Sequence, residues 1–517
     1  MSHFDMRELL DDSLLESLDL PQLVPGSLVA WRPLVADGMK FFLERLPVHR
    51  LEAIFAEQFA LPADAGAATR VVTLLSQCPT LHKLGQVLAR NRQLPEEMRR
   101  ELQTLESMLP ATPLNAVLAR IHAELPDGPP LRLASQALAE GSVAVVLPFT
   151  YQENGREHEG VLKVLKPGIE EKFGEEITVW EELGGFLERR SRELGLPALD
   201  YRRTLDSVRE LLTKEIRLQI EQANLRSAAA MYAGQARILI PRVLPWCTTK
   251  LTAMQRVSGA KLTDAALSPA HRANLASLMV SALVGQPFWS RAETAMLHAD
   301  LHAGNLFMTE EGRLAVLDWS LTLHLSKADR VTLVSIILGG LALDAARIRT
   351  AVAALGSLRA DDPALVRAVE KALDRVVLQG RFPGFAWLLE LLDELALDIA
   401  TGFREDFVLF RKTWFSLSGV IHDLAGEHSP DIQLLGLGLK LFLAELPERF
   451  YAAPESRNFS THVSNADILR VCSSAWLLPA RYWARWQRCI STRAQAKHSC
   501  RPVPRYDRQG LQSSGCT

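Results

Sequence analysis

The order of patterns along the sequence predicts an α+β fold, with helices first, then a small antiparallel sheet, then a larger helical body. Three observations carry this. Up to about residue 125, apolar residues recur at three- and four-residue spacing, as in Phe41, Phe42, Leu46 and again in Leu51, Ile54, Phe55, Phe59. Beyond Pro129-Pro130 the chain turns β-rich, in residues 142–149 and 160–165, around a turn carrying Asn154-Gly155. That dipeptide between two apolar runs is a strong hairpin signal. From about residue 262 onward helical periodicity returns, broken by a hairpin expected across 305–317.

Taken in order, the N-terminal helices are punctuated by Pro21, Pro25, Pro62, Pro79, Pro95, Pro110 and Pro113. After the hairpin, residues 170–232 show charged helical periodicity, and 237–243 and 250–257 read as two further strands. The polar end after about residue 490 is expected to lack fixed structure. The expected divisions are 1–75, an N-terminal helical region; 76–128, a helical extension; 129–257, a small lobe with a helical insert; 258–465, a large helical lobe; and 466–517, a basic aromatic tail.

Bulk properties exclude several classes. The 517 residues allow two to four folding units, 48% are hydrophobic, and the net charge is −2. No global field calls for nucleic acid. The six cysteines (Cys78, Cys247, Cys472, Cys489, Cys500, Cys516) form no C-x-x-C pair, which points away from a zinc knuckle and toward a reducing compartment. The acidic start MSHFDMRELL does not read as a signal peptide. The longest apolar stretch, 331–343, includes Thr332, Ser335, Gly339 and Gly340 and falls short of the roughly 20 residues a spanning helix needs. A cytoplasmic body without membrane spans, yet able to sit peripherally on a membrane, is the expectation.

The strongest chemical signal is His298-Ala-Asp-Leu-His-Ala-Gly-Asn305, followed by Leu317-Asp318-Trp319. Asp300 and Asn305 have the D-x-x-x-x-N spacing of a kinase catalytic loop. In that chemistry one carboxylate, here Asp300, orients the attacking oxygen. An amide oxygen and a second carboxylate, Asn305 and Asp318, hold Mg²⁺ on the phosphates. Upstream, Lys163 in Val161-Leu-Lys-Val-Leu matches the strand lysine that meets the ATP phosphates, and Glu221 is the candidate helix partner 58 residues later. No G-x-G-x-x-G precedes that strand. The equivalent turn lies in 137–144, where Ala139, Gly141 and Ser142 would let backbone N–H groups approach phosphates.

These motifs make the expected fold a two-lobed protein-kinase-like one, and two more segments make the resemblance specific. Lys83-Leu-Gly-Gln86 resembles the K-x-G-Q helix of the UbiB/AarF family of atypical kinases, and Glu215 with Glu221-Gln-Ala-Asn224 resembles its E-x-D…E-A-x-N helix. The similarity runs over about residues 83–321. It implies an N-terminal extension folded over the active site, with Lys83 and Gln86 meeting the nucleotide, and an alanine-rich loop in place of the glycine-rich one. It also implies a Lys163–Glu221 ion pair, a hinge at 253–257 in which Met254 and Val257 receive adenine, ATP and Mg²⁺ as cofactors, and a role supporting ubiquinone biosynthesis, with quinone-precursor lipid and quinone-biosynthesis proteins as partners. The departures are Arg217 where the family has aspartate, Gln222 where it has alanine, Glu140 and Gly141 inside the alanine loop, and Ser320 after Asp318-Trp319.

Two other functions are compatible with the motifs. One is a small-molecule phosphotransferase resembling aminoglycoside and choline kinases; the other is a non-catalytic pseudokinase scaffold. Finally, residues 470–508 hold nine Lys/Arg against one acid, interleaved with Trp476, Tyr482, Trp483 and Trp486. Such a segment suits an anionic membrane surface. It equally suits a helix docked on the core.

Overall fold

The computed structural model describes residues 24–499 apart from 89–93, 106–110, 129, 198–200, 263, 266, 357, 399–403 and 427. The chain divides into two compact units: 1–287 with 295–325 and 405–433, and 288–294 with 326–404 and 434–517.

The first unit opens with α1 (Arg32–Glu44), α2 (Val48–Ala60), α3 (Ala67–Gln77), α4 (Pro79–Leu88), α5 (Glu96–Thr104) and α6 (Leu114–Glu124). Pro47, Pro95 and Pro113 occupy the N-caps of α2, α5 and α6. A proline there forfeits no helical hydrogen bond, so these residues start helices as well as separate them. The strands β1 (Arg132–Leu133), β2 (Ala139–Glu140), β3 (Ala144–Glu153) and β4 (Arg156–Leu165) follow. Asn154 and Gly155, at φ 52° and 74°, make the two-residue turn between β3 and β4. Next come α7 (Ile169–Glu193), α8 (Tyr201–Glu215) and α9 (Leu218–Tyr232), then β5 (Ile238–Leu239), β6 (Leu251–Gln255), β7 (Gly259–Lys261) and α10 (Pro269–Met279). The unit is completed by β8 (Thr294–His298), β9 (Leu306–Thr309), β10 (Leu314–Val316), β11 (Thr322–Ser326) and α11 (Glu405–Ala425).

The principal sheet is antiparallel, in the order β1-β3-β4-β6, with β2 also on β3. Its register aligns Ala139, Val146, Lys163 and Thr252 in one row. Gly160 lies opposite Phe149, and a Cβ there would sit 2.3 Å from the Phe149 ring, so the aromatic packs where only glycine leaves room. Val145, Leu147, Phe149, Leu162, Val164 and Leu251 fill the core beneath. A separate core joins the N-terminal helices to α7, through Phe42, Leu51, Leu75, Met98 and Leu102 against Val179, Trp180 and Leu183.

A second sheet, β5-β10-β9-β7, contains the expected 305–317 hairpin as β9 and β10. The expected strand at 237–243 shrinks to two residues, which pair parallel with β10. Pro241 has no N–H for a ladder, so pairing stops before it. The short β8–β11 pair was not foreseen, because two five-residue strands within a helical stretch give little periodicity.

In the second unit, helices Lys327–Leu341, Ala345–Leu355, Pro363–Gln379 and Phe385–Asp398 bury Trp387, Phe385, Leu388 and Leu373. The basic aromatic segment is helical over Asn465–Ala475 and Leu478–Ser499, extending past the point where order was expected to end. Pro479 sits in the first turn of the later helix, where its missing N–H is harmless. That helix is docked: Arg485 bridges Glu370 and Asp374, both at 2.8 Å, and the Tyr482 hydroxyl donates to Val377 O at 3.2 Å. Trp476 and Trp483 remain exposed. Residues 500–517, including Cys500, Cys516 and three of the nine cations, lie outside the described residues, as does the acidic start. Among the described residues, no helix is long and apolar enough to cross a membrane.

Candidate functional site

The site begins with the sheet register. Side chains two residues apart on a strand share a face. Lys163 on β4, Val161 two residues before it, and Met254 opposite Val161 on β6 therefore belong to one face, and the row through Lys163 includes Ala139. Lys163 Nζ lies 2.9 Å from Glu221 Oε1 and 3.3 Å from Asp318 Oδ2. Burial by itself would push the Lys163 pKa down, but Asp318 and Glu221 outweigh it and hold the ammonium charged. Glu221 is 1% exposed, and its second carboxylate oxygen has no partner among the described residues. Burial pushes its pKa up to about 7, against the pull of Lys163.

Glu221 stands in the first turn of α9, and its neighbours fix that helix on two sides. Gln222 Nε2 donates to Leu251 O at 3.2 Å and to Thr252 Oγ1 at 3.1 Å, tying α9 to β6. Asn224 Nδ2 donates to Trp319 O at 2.9 Å, tying it to the segment that carries Asp318. The glutamine that departs from the family pattern therefore has a structural task.

The loop after β8 carries the remaining groups. His298 Nδ1 accepts the Asp300 N–H at 3.1 Å, so Nε2 must carry the ring proton that it donates to Leu317 O at 3.0 Å. Burial keeps this histidine's pKa down and the ring neutral. Asn305 Nδ2 donates to Asp300 O at 3.0 Å, and Leu317 N donates to Asn305 O at 2.8 Å. One hydrogen-bonded unit thus joins Asp300, Asn305 and the approach to Asp318. Asp318 has φ 51°, a left-handed backbone that a non-glycine residue adopts at some strain, and its Oδ1 accepts Ser320 N at 3.2 Å. Burial would raise its pKa, but Lys163 and the Ser320 contacts hold it well below the usual carboxylate range.

The α4 helix adds a second cation. Lys83 Nζ lies 2.8 Å from Glu215 Oε1, at the end of α8, and 3.6 Å from Asp300 Oδ2. These carboxylates overcome burial and raise the Lys83 pKa. A third cation comes from α11, where Lys412 Nζ is 2.8 Å from Asp300 Oδ1. Against the upward push of burial, Lys412 and Lys83 hold the Asp300 pKa far below normal. Sequence reasoning missed Lys412, which carries no motif and lies more than a hundred residues past the loop.

The other anticipated positions are placed as follows. Gln86 is turned away from the carboxylates: its Nε2 donates to Leu105 O at 2.8 Å, beside the His82 ring, which donates to the same carbonyl at 2.9 Å. Gly141 and Ser142 form the turn from β2 to β3, closed by Gly141 N to Ala144 O at 2.8 Å. Glu140, which interrupts the alanine loop, points into a socket of its own, accepting Ala111 N at 2.7 Å and Thr112 N at 2.9 Å and pairing with Lys166 at 2.7 Å. Val257 follows the end of β6. Arg217, at the N-cap of α9, is exposed.

The donor set fits Mg²⁺. With Nδ2 of Asn305 committed to Asp300 O, its amide oxygen is the atom available to a cation, and Asp318 supplies a carboxylate. Two hard oxygen ligands match an ion that otherwise keeps water and phosphate oxygens. Among the described residues, no cluster of three or more His, Cys, Asp or Glu forms an all-protein metal site.

A small antiparallel sheet, a strand lysine paired to a helix glutamate, and a catalytic-type loop followed by a second carboxylate define a protein-kinase-like domain. Residues 106–352, just under half of the chain, match the ABC1 atypical kinase-like domain. Similar curated proteins carry the name probable protein kinase UbiB. That of Shewanella loihica is 29% identical over 246 residues, covering 45% of this chain and 42% of the relative. That of Xanthomonas campestris pv. campestris is 29% identical over 292 residues, covering 52% and 50%. The chain spans about half the length of the curated relatives it matches. Solved structures with a detectable likeness include the Rv3197–erythromycin complex from Mycobacterium tuberculosis, at 15% identity, TM-score 0.43 and coverage of 74% of this chain and 100% of that one. Another is an aminoglycoside phosphotransferase in ternary complex with AMP-PNP and hygromycin B, at 13% identity, TM-score 0.21 and coverage of 57% and 94%. The family match begins at residue 106, beyond α4 and its Lys83.

Proposed function

We propose that this protein binds Mg²⁺-ATP on the Lys163 face of the principal sheet and acts as an atypical kinase or ATPase of the UbiB-like type, in support of isoprenoid-quinone biosynthesis. The single observation that carries the reading is the convergence of Lys163, Glu221 and Asp318 within 3.3 Å contacts beside the Asp300–Asn305 loop. Lys163 would meet the phosphates, Asn305 and Asp318 would hold the metal, and Asp300 would orient the attacking oxygen. When bound, Mg²⁺ supplies charge neutralisation on the phosphates. The row through Ala139 and the turn at Gly141 and Ser142 would offer backbone N–H groups to them, and Met254 and Val257 would border the base.

Lys83 favours this reading over an aminoglycoside- or choline-kinase-like one. It brings a cation from the N-terminal extension, paired with Glu215, to 3.6 Å from Asp300, an arrangement that narrows the acceptor side and disfavours bulky acceptors. The proposal includes an anionic membrane surface and a quinone-precursor lipid as partners, supported by exposed Trp476 and Trp483 and by the exposed Arg470.

The test is calorimetry of Mg²⁺-ATP binding with an ADP-release assay. Asp318→Asn is expected to weaken Mg²⁺-dependent binding at unchanged fold. Asp300→Asn is expected to retain binding and lose turnover. Equal Mg²⁺-ATP affinity in wild type and Asp318→Asn would refute the assignment.

A further inference from the structure

We propose that Lys412 is the positioning residue of Asp300, holding one carboxylate oxygen so that the other faces the attacking group. This rests on the phosphotransfer reading above. Three observations carry it.

First, α11 is pinned to the site on both sides of Lys412. Asp406 Oδ1 accepts His324 N at 3.0 Å, next to β8 on β11. The buried Thr413 hydroxyl, whose nearer acceptor is Leu409 O at 2.8 Å in its own helix, packs 3.3 Å from His298 O, two residues before Asp300. A residue between two such anchors is delivered to a fixed place, and Lys412 Nζ arrives 2.8 Å from Asp300 Oδ1.

Second, the two oxygens of Asp300 are in different hands. Oδ2 lies 3.6 Å from Lys83 Nζ and 3.8 Å from His302 Nε2, both beyond hydrogen-bond length. Lys83 makes its close contact with Glu215 instead. Oδ1 is therefore the anchored oxygen, and Oδ2 is the one an incoming group can engage.

Third, the loop from Asp300 to Asn305 reads Leu-His-Ala-Gly between them and holds no lysine or arginine. A carboxylate that is largely buried, at 14% side-chain exposure, needs a cation from elsewhere, and α11 brings one across more than a hundred residues of chain.

The chemistry follows. The acceptor hydroxyl, or water, attacks the γ-phosphorus as its oxygen forms the new P–O bond. The bond from the γ-phosphorus to the β–γ bridging oxygen breaks, and ADP leaves with that electron pair. The acceptor's proton passes to Oδ2 of Asp300 and then to solvent. Lys412, fixed on Oδ1, prevents the carboxylate from rotating out of line with the attack.

The experiment compares wild type with Lys412→Ala, Lys412→Met and Lys412→Arg, in the full chain with Mg²⁺-ATP. It reads kcat and KM for ADP release and the thermal midpoint. Misplacing a reacting group by about 1 Å costs on the order of a hundredfold, so kcat is expected to fall roughly 10- to 100-fold in Lys412→Ala and Lys412→Met, with KM for ATP within about twofold. Lys412→Arg, which keeps the charge, is expected to recover most of kcat. A folded Lys412→Met with wild-type kcat, or one whose loss lies wholly in KM, overturns the proposal. If the neutral variants fail to fold, a folded Lys412→Arg with no more turnover than a chain lacking Asp300 overturns it as well. A wild type that releases no ADP overturns both this proposal and the phosphotransfer reading. A wild type that turns over while Lys412→Met matches it overturns this proposal alone.

Discussion

His82 makes the attachment of α4 sensitive to acid. Its ring is 1% exposed and donates to Leu105 O, the carbonyl that Gln86 also holds, one residue before Lys83 reaches the carboxylates. Burial lowers its pKa from 6.5 to about 4. A depressed pKa means that the folded state binds the proton less readily than the unfolded chain. The associated stability is therefore complete above pH 6.5 and is lost as pH falls toward 4. At about 1.4 kcal/mol per tenfold change, this group withdraws roughly 2 kcal/mol at about pH 5 and almost nothing at pH 7. The perturbation is His82→Gln, whose amide can still donate to Leu105 O but does not titrate. Urea unfolding followed by tryptophan fluorescence suits the assay, because Trp180 on α7 donates to Thr80 on α4 at 3.1 Å. The drop in stability between pH 7 and pH 5 is expected to be about 2 kcal/mol smaller in His82→Gln than in wild type. His462, also lowered to about 4 by burial, contributes equally to both proteins and cancels in the comparison. Identical pH dependence in the two would refute the reasoning.

Other perturbations probe the packing and the tail. A Cβ on Gly85 would lie 2.6 Å from Leu105 Cδ1 and 3.0 Å from Leu75 Cδ1, so Gly85→Ala is expected to destabilise by about 1–2 kcal/mol despite alanine's better helix propensity, a difference measurable by denaturant midpoint. Arg485→Ala removes a side chain 5% exposed from two carboxylates that are themselves about a third exposed, and is expected to lower stability by roughly 1–2 kcal/mol. Tryptophan fluorescence should then report undocking of the final helix; an unchanged midpoint would count against that contact. Deleting 468–517 is expected to reduce co-sedimentation with cardiolipin-containing liposomes while Mg²⁺-ATP binding persists. Undiminished sedimentation would remove the tail from the proposed membrane contact.

The legible part of the site was its short-range part. Asp300, Asn305 and Asp318 lie within 19 residues, on one loop and the hairpin after it, so their spacing alone places them together. Lys163 was legible because a hairpin with Asn154-Gly155 sets the register of β4, and a set register decides which face each side chain takes. Glu221 needed more than local pattern, since α7 and α8 intervene, and the resemblance to a family helix supplied it.

Elsewhere local pattern and tertiary outcome parted. Gln86 belongs to the same motif as Lys83, three residues away, yet its amide satisfies a backbone carbonyl at the end of α5 while Lys83 reaches Asp300. Motif membership names a helix, whereas the packing of α5 against α4 decides what each side chain finds. For the basic aromatic tail, the membrane surface and the docked helix stayed equally open, because counting charges cannot reveal partners, and Glu370 and Asp374 lie more than a hundred residues earlier in the chain. Lys412 is the extreme case. A lone lysine on a helix has no spacing to recognise, and only the closure of α11 onto the loop after β8 turns it into a partner of the central carboxylate. The sequence by itself determined the α+β class, the hairpin register and the loop chemistry, all of which depend on residues within a few turns of one another. The tertiary structure decided which cations meet Asp300, because ion pairs form by distance in space and a buried carboxylate draws its charge partner from whatever element packs against it.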